Sequence, residues 1–267
     1  MGRRLVALAA TDPAFAVCAA VDWPEHPRLG EDAGVLAGIG PLGVLLCGSL
    51  ADACQPLAPG PSPASGRGEN WPEVVIDFSV PAATEAILGQ CLAKRIPIVI
   101  ATTGLGQPQT RLIEEAAREI PVLWAPSMSL AVNLTMRLAE VAGRALRDKD
   151  ADVEIVERHH RYKEDSPSGT ALKFGEIIAE AMGQTAHRHG RQGRPGARPH
   201  GEIGYHAIRV GDNPGEHTAI FAMLGETIEL TVRATSRDCY ALGALAAAKF
   251  LAGKPPRLYN MNDVLGL

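Results

Sequence analysis

The sequence predicts an α/β protein in two parts, a parallel sheet of the nucleotide-binding type followed by an α+β domain. Two observations carry that prediction. In the first half, short β-rich runs alternate with helical patterns of about a dozen residues, the way parallel strands buried on both faces are connected. In the second half, three strand-like runs follow one another with little helix between them, which suggests a mixed or antiparallel sheet. A final helical pattern then returns to the first part. The nucleotide-binding domain is therefore expected over residues 1–126 with 239–267, and the second domain over residues 127–238.

Taken in order, residues 1–10 read as an amphipathic helix stopped by Thr11, Asp12 and Pro13. Their apolar run is too brief for a signal peptide despite the basic start. Residues 16–21 read as a strand ending in Asp22. The stretch 52–72 carries Pro56, Pro59, Pro61, Pro63 and Pro72. It cannot be a helix or an interior strand and is expected as a surface loop without chemistry. Strands follow at 74–79, 97–101 and 121–124, with helices at 81–93 and 107–119 between them. This is the framework of a Rossmann-like fold. Beyond it, 128–146 is a long helical pattern, 152–158 a strand and 169–182 a helix. The three serial strands are 204–210, 218–224 and 227–234, and the returning helix is 239–252.

Composition narrows the partners. A net charge of -4 and a pI near 6.1 give no electrostatic case for nucleic acid or an anionic membrane. No apolar run approaches the roughly 18 residues of a membrane span. The 5 cysteines, Cys18, Cys47, Cys54, Cys91 and Cys239, are odd in number and widely spaced. They read as free thiols of a reducing cytoplasm, with neither a disulfide framework nor a zinc site.

One connection concentrates groups that could do chemistry. Residues 157–171 read Glu-Arg-His-His-Arg-Tyr-Lys-Glu-Asp-Ser-Pro-Ser-Gly-Thr-Ala, following a strand and opening a helix. The Ser168-Gly169-Thr170 turn would offer N–H groups and hydroxyls at a positive helix terminus, which suits a carboxylate. His159 or His160 could exchange a proton near neutral pH, and Lys163 could anchor an anion or donate a proton. Against this stands the plain alternative of a capped helix start beside a solvated His-His pair. The residues alone leave the two about even. Zinc ligation by the pair lacks a third ligand at a useful spacing.

The same run resembles the signature of the dihydrodipicolinate reductase family, Glu-x-His-His-Arg-x-Lys-x-Asp-Ala/Ser-Pro-Ser-Gly-Thr-Ala. Comparable blocks occur at 201–204, 208–212, 215–218, 234–237 and 258–265, so the resemblance covers nearly the whole chain except the proline-rich stretch. It implies NAD(P)H-dependent reduction of a small dicarboxylate in lysine and diaminopimelate biosynthesis, by a homotetramer joined through the second domain's sheet. It further implies that His159 is the acid/base group and Lys163 the proton donor. By the same resemblance, His160 with Ser168, Gly169 and Thr170 holds the substrate carboxylates. The cofactor loops match Ala101, Thr102, Thr103 and Gly104, with the family's first glycine replaced by Ala101, and Ala125, Pro126, Ser127 and Met128. Asp22 matches the acid that receives the adenosine ribose. An acid there disfavours a 2′-phosphate, and Trp23 follows where an arginine is common, so NADH is expected over NADPH.

The family opens with a strand and a Gly-x-x-Gly-Arg-Met-Gly loop, of which Met1-Gly2-Arg3-Arg4 matches only the end. That strand would lie between the strands at 16–21 and 74–79. The expectation is a start assigned at an internal methionine, with weak NADH binding and low stability for the chain as given. Two rivals stand beside the reductase: a homologue that binds a dicarboxylate without the cofactor, and a metal-dependent hydrolase using His159 and His160.

Overall fold

A computed structural model describes residues 1–54 and 71–267, which form two compact units: Met1–Met128 with Tyr240–Leu267, and Ser129–Cys239. Of the proline-rich stretch, residues 55–70 lie outside the described residues.

The first unit begins with α1 (Gly2–Thr11), β1 (Ala20–Val21), α2 (Ala33–Ala37), β2 (Leu46–Cys47) and α3 (Leu50–Ala53). It continues through β3 (Val75–Asp77), α4 (Pro81–Lys94), β4 (Ile98–Ile100), α5 (Gln107–Ala116) and β5 (Pro121–Trp124). The alternation of strand and helix produces the expected parallel pairing: β3 pairs β4, and β4 pairs β5. Ile98, Val99, Ile100, Val122 and Leu123 are fully buried, which is why these runs are apolar throughout rather than alternating. Pro81 at the first turn of α4, where an unpaired N–H costs nothing, and Arg95 in the left-handed region after it fix that helix's ends. The core between sheet and helices is built from Leu88, Cys91, Ile98, Ile113, Ile120 and Val122.

Two readings of this unit need correction. The strand expected at 16–21 is only two residues long, paired in parallel with β2. The periodic signal was apolar composition, and residues 15–19 find no ladder partner. Asp52 and Ala53, placed in the loop by their proline-rich neighbours, complete the short α3, which Ser49 caps by accepting the Asp52 N–H. The sheets are separate: β1 and β2 form one of 2 strands, and β3 is the edge of another of 4. β1 and β3 are thus edge strands of two different sheets.

The second unit comprises α6 (Leu130–Leu146), β6 (Asp152–His159), α7 (Gly169–Met182), β7 (Ala186–His189), β8 (Glu202–Arg209), β9 (Glu216–Met223) and β10 (Glu226–Arg233). The chain then returns to the first unit as α8 (Asp238–Leu251), β11 (Arg257–Tyr259), which pairs β5, and α9 (Met261–Leu265). The sheet of the second unit is mixed, with strand order β10-β9-β6-β8-β7. The serial strands do not all run antiparallel. β8 lies parallel to both β6 and β7, because the α7 crossover leaves a gap beside β6 that β8 fills. β9 takes the other side of β6 and turns back into β10 through Leu224 and Gly225, the latter at φ 89°. The strand β7 was missed because Ala186–His189 is an exposed edge with no buried alternation.

Alternation along β6 buries Val153, Ile155, Glu157 and His159 on the face packed by α7. Tyr205 of β8 meets α7 at Gly175, where a Cβ would stand 1.7 Å from the phenolic oxygen. On the opposite face, Arg191 and Arg198 reach from the β7–β8 connection to Glu154, with contacts of 2.7 and 2.9 Å.

Candidate active site

The site in the second unit is assembled where β6 ends and α7 begins. Glu157 is 1% exposed yet ionised. Burial alone would raise its carboxyl, but the Arg209 guanidinium and the His159 imidazole outweigh that and hold it below its ordinary value. Arg209 donates from one terminal nitrogen to Glu157 Oε2 at 2.8 Å and from the other to Oε1 at 2.7 Å. The same carboxylate meets His159 Nδ1 at 2.5 Å and accepts the Ser168 N–H at 3.1 Å. Four donors on two oxygens use the carboxylate's full capacity.

Ser168 is the N-cap of α7, accepting the Ala171 N–H at its hydroxyl. That hydroxyl also lies 2.8 Å from His217 Nε2. One hydroxyl thus serves both Ala171 and His217, so the cap and β9 are joined through one atom. His217 lies edge-on to His159 at 5.1 Å and stacks on Phe174. Burial, reinforced by the charge of His159, depresses its pKa to about 4, so it is neutral at physiological pH. His159 is depressed too, first by burial, with Glu157 pulling the other way.

Around this buried cluster lie the groups that reach outward. Lys163 pairs with Asp165 at 2.6 Å, and Gly169 is exposed at the start of α7. His160 Nε2 lies 3.4 Å from an Arg237 terminal nitrogen, while its Nδ1 is an enclosed atom without a hydrogen-bond partner. The signature thus divides. His159 and Ser168 are buried and engaged with Glu157 and His217, whereas His160, Lys163, Gly169 and Thr170 stand half-buried or exposed.

In the first unit, Asp22 follows β1 and is exposed, its Oδ1 accepting the Trp23 N–H. Ala101 to Gly104 follow β4, and Ala125 to Met128 follow β5, so both loops leave the carboxyl ends of parallel strands. Within the first loop, Thr102 is buried and donates to Asp77, which also accepts from Thr84. Its hydroxyl braces the sheet, and Thr103 with Gly104, the latter at φ 75°, is the exposed part. Met128 is buried, Ser127 half-buried and Pro126 exposed.

The model for "Dihydrodipicolinate reductase, N-terminus" matches residues 1–128, and that for "Dihydrodipicolinate reductase, C-terminus" matches residues 131–265. The chain belongs to the dihydrodipicolinate reductase family. Among its relatives in that family, the 4-hydroxy-tetrahydrodipicolinate reductase of Rhodopirellula baltica is 51% identical over 100% of this chain and 92% of its own length. The protein of the same name from Alkalilimnicola ehrlichii is 44% identical, covering 100% of this chain and 95% of that one. A solved family structure, the dipicolinate-bound dihydrodipicolinate reductase from Paenisporosarcina sp. TG-14, superposes with a TM-score of 0.68. It is 20% identical, covers 98% of this chain and 94% of that one, and shows the shared fold.

Three members of the buried cluster received no role from the sequence: Glu157, Arg209 and His217. Each lay inside a block that resembles the family. A signal did exist for Glu157, since it precedes His159 by two residues on a strand and so shares its face. Nothing local could place Arg209 or His217 beside them, because that depends on which strands flank β6.

Proposed function

We propose that the protein is a pyridine-nucleotide-dependent reductase of 4-hydroxy-tetrahydrodipicolinate, in its dehydrated form, acting in lysine and diaminopimelate biosynthesis. The single observation behind this reading is the family match along the whole chain, which includes the site-bearing second unit. The geometry of that unit supports it. Lys163, the first turn of α7 and the unpartnered Nδ1 of His160 offer charge and donors for two carboxylates. His159 carries the proton exchanged at the substrate, with Lys163 as the second proton-bearing group. Ser168 contributes through its N-cap and its N–H rather than through a free hydroxyl.

The first unit fits a dinucleotide. Asp22 has an oxygen to spare for ribose hydroxyls, and the exposed backbone of Thr103-Gly104 and of Pro126-Ser127 sits where parallel-sheet proteins bind nucleotides. When bound, the reduced nicotinamide supplies the hydride. NADH is preferred over NADPH: no cation follows Asp22, and Arg28, the nearby cation that could meet a 2′-phosphate, is engaged by Glu31 through Nε at 2.8 Å and one terminal nitrogen at 2.6 Å. The working form is a cytoplasmic homotetramer in which copies meet on the open face of the mixed sheet. Thr218, Ile220 and Ile208 lie there half-buried or exposed. No helix among the described residues is long and apolar enough to cross a membrane.

The test is NADH oxidation on 4-hydroxy-tetrahydrodipicolinate generated in situ, run beside NADPH and with dipicolinate as competitor. Turnover with competition by dipicolinate is expected, with the larger kcat/KM for NADH. Dipicolinate binding without any oxidation of either nucleotide would overturn the reductase reading, and equal or better kcat/KM with NADPH would overturn the cofactor preference.

A further inference from the structure

Glu157 is the most heavily hydrogen-bonded buried side chain of the site, and its chemistry constrains the atom next to it. An ionised carboxylate accepts and cannot donate. At 2.5 Å from Glu157 Oε2, His159 Nδ1 must therefore carry a hydrogen in the neutral ring as well as in the charged one. The free lone pair of neutral His159, or the transferable proton of the charged ring, is then confined to Nε2. That nitrogen faces Gly215, where a Cβ would stand 3.0 Å from it. Gly215 sits at φ 152°, a conformation that side chains rarely adopt, so the opening in front of Nε2 is built into the backbone.

We propose that Glu157, charge-balanced by Arg209, is a positioning residue that fixes His159 in the Nδ1–H tautomer and turns Nε2 toward the space beside Gly215, where the substrate exchanges its proton. This rests on His159 as the acid/base group. Arg209 has a second task in the same device, since it also donates to the Asp165 carbonyl at 2.6 Å. Glu157 in turn accepts the Ser168 N–H, so the carboxylate that orients the imidazole also anchors the connection bearing Lys163 and the start of α7. The proton-exchanging ring and the carboxylate-binding turn are thereby registered to one buried atom pair, much as a buried acid orients the histidine of a hydrolase triad.

The charged and titratable groups around the His159 ring are Glu157 on its own strand, Arg209 on β8, Lys163 on the β6–α7 connection and His217 on β9. Of these, Glu157 favours the charged ring, and Arg209 and Lys163 oppose it. Removing Glu157 or Arg209 therefore moves the ring in opposite directions, which a general loss of structure would not do.

The experiment is ¹H–¹⁵N NMR of the ring nitrogens of His159 across pH in the full chain, for the native protein, Glu157→Gln and Arg209→Met. The native ring is expected to show a protonated Nδ1 and a bare Nε2 in its neutral form. Glu157→Gln should mix the tautomers and move the titration midpoint to lower pH, and Arg209→Met should move it to higher pH. In the reductase assay, Glu157→Gln should lower kcat by about ten- to a hundredfold with KM little changed, less than the ~10²–10⁴ supplied by an acid/base group itself. A native ring already in the Nε2–H tautomer, or midpoints displaced in the same direction by both variants, would overturn the proposal. Should Glu157→Gln fail to fold, Arg209→Met still decides it: an unmoved or lowered midpoint sinks the idea. Native turnover in His159→Gln would instead sink the acid/base assignment, whatever the ring spectra show.

Discussion

Replacing Ser168 by alanine separates an internal brace from a substrate ligand. Its hydroxyl does two things in the folded chain, capping α7 at Ala171 and meeting His217 Nε2 at 2.8 Å. Losing a serine N-cap costs about 1 kcal/mol. It also strands a ring nitrogen in a buried site, which costs a further ~1–3 kcal/mol. The sum is a destabilisation of about 2–4 kcal/mol, large for a substitution that removes one oxygen. The assay is urea unfolding followed by circular dichroism, read as a lower midpoint with an unchanged slope. His217→Phe provides the internal control, because in that background no ring nitrogen remains and Ser168→Ala should cost only the cap. The coupling between the two changes should therefore be about 1–3 kcal/mol. If Ser168→Ala costs less than about 0.5 kcal/mol while the substrate KM rises, the hydroxyl serves the ligand, and the brace assigned to it here is wrong.

The remaining expectations concern the outward-facing groups and pH. His159→Ala should lower kcat by about a hundredfold or more while NADH affinity stays near native; near-native turnover removes it from the mechanism. Lys163→Ala and Thr170→Val should each raise KM, with Lys163 also affecting kcat, because each deletes a charge or donor from a carboxylate site. If both keep native constants, the substrate binds elsewhere. His217 is held neutral to about 4 when folded, below the usual 6.5 of a free histidine. The unfolded chain therefore binds more protons between these values, so its contribution to stability is complete above about pH 6.5 and is lost as pH falls toward 4. Melting curves across that window should flatten in His217→Phe, and an unchanged slope would show that the ring is not buried neutral. Below it, loss should continue as Glu154 is protonated: burial raises that carboxyl, but Arg191, Arg198 and His206 outweigh burial and hold it near 2.

What the sequence made legible follows from the range of the forces involved. The helices α4, α6 and α7 were readable because their caps and apolar spacing are local: Pro81, Ser129 and Ser168 mark their starts. The strands β4 and β5 were readable because burial on both faces leaves continuous apolar runs. Short pieces such as β7 and β11 carry no periodic signal and exist only because a longer strand pairs with them. The same limit governs the site. His159, His160, Lys163 and the Ser168-Gly169-Thr170 turn lie in one run of sequence, whereas Arg209 and His217 reach Glu157 and Ser168 only through strand order. Thr102 shows the converse: a polar residue in a promising loop turns its hydroxyl toward the buried Asp77 instead.

The return of the chain into its first unit bears on the order in which the protein can be made. β11 supplies a neighbour to β5, with Arg257 opposite Pro121, yet the whole second unit lies between them in sequence. On the ribosome, β5 must wait with an unsatisfied edge until nearly all of the chain has emerged, while the second unit has every one of its strands already in hand. Closure of so long a loop is slow relative to pairing within a hairpin such as β9–β10. The second unit is then expected to be the earlier folder, and β5 the strand most in need of protection from other chains during synthesis.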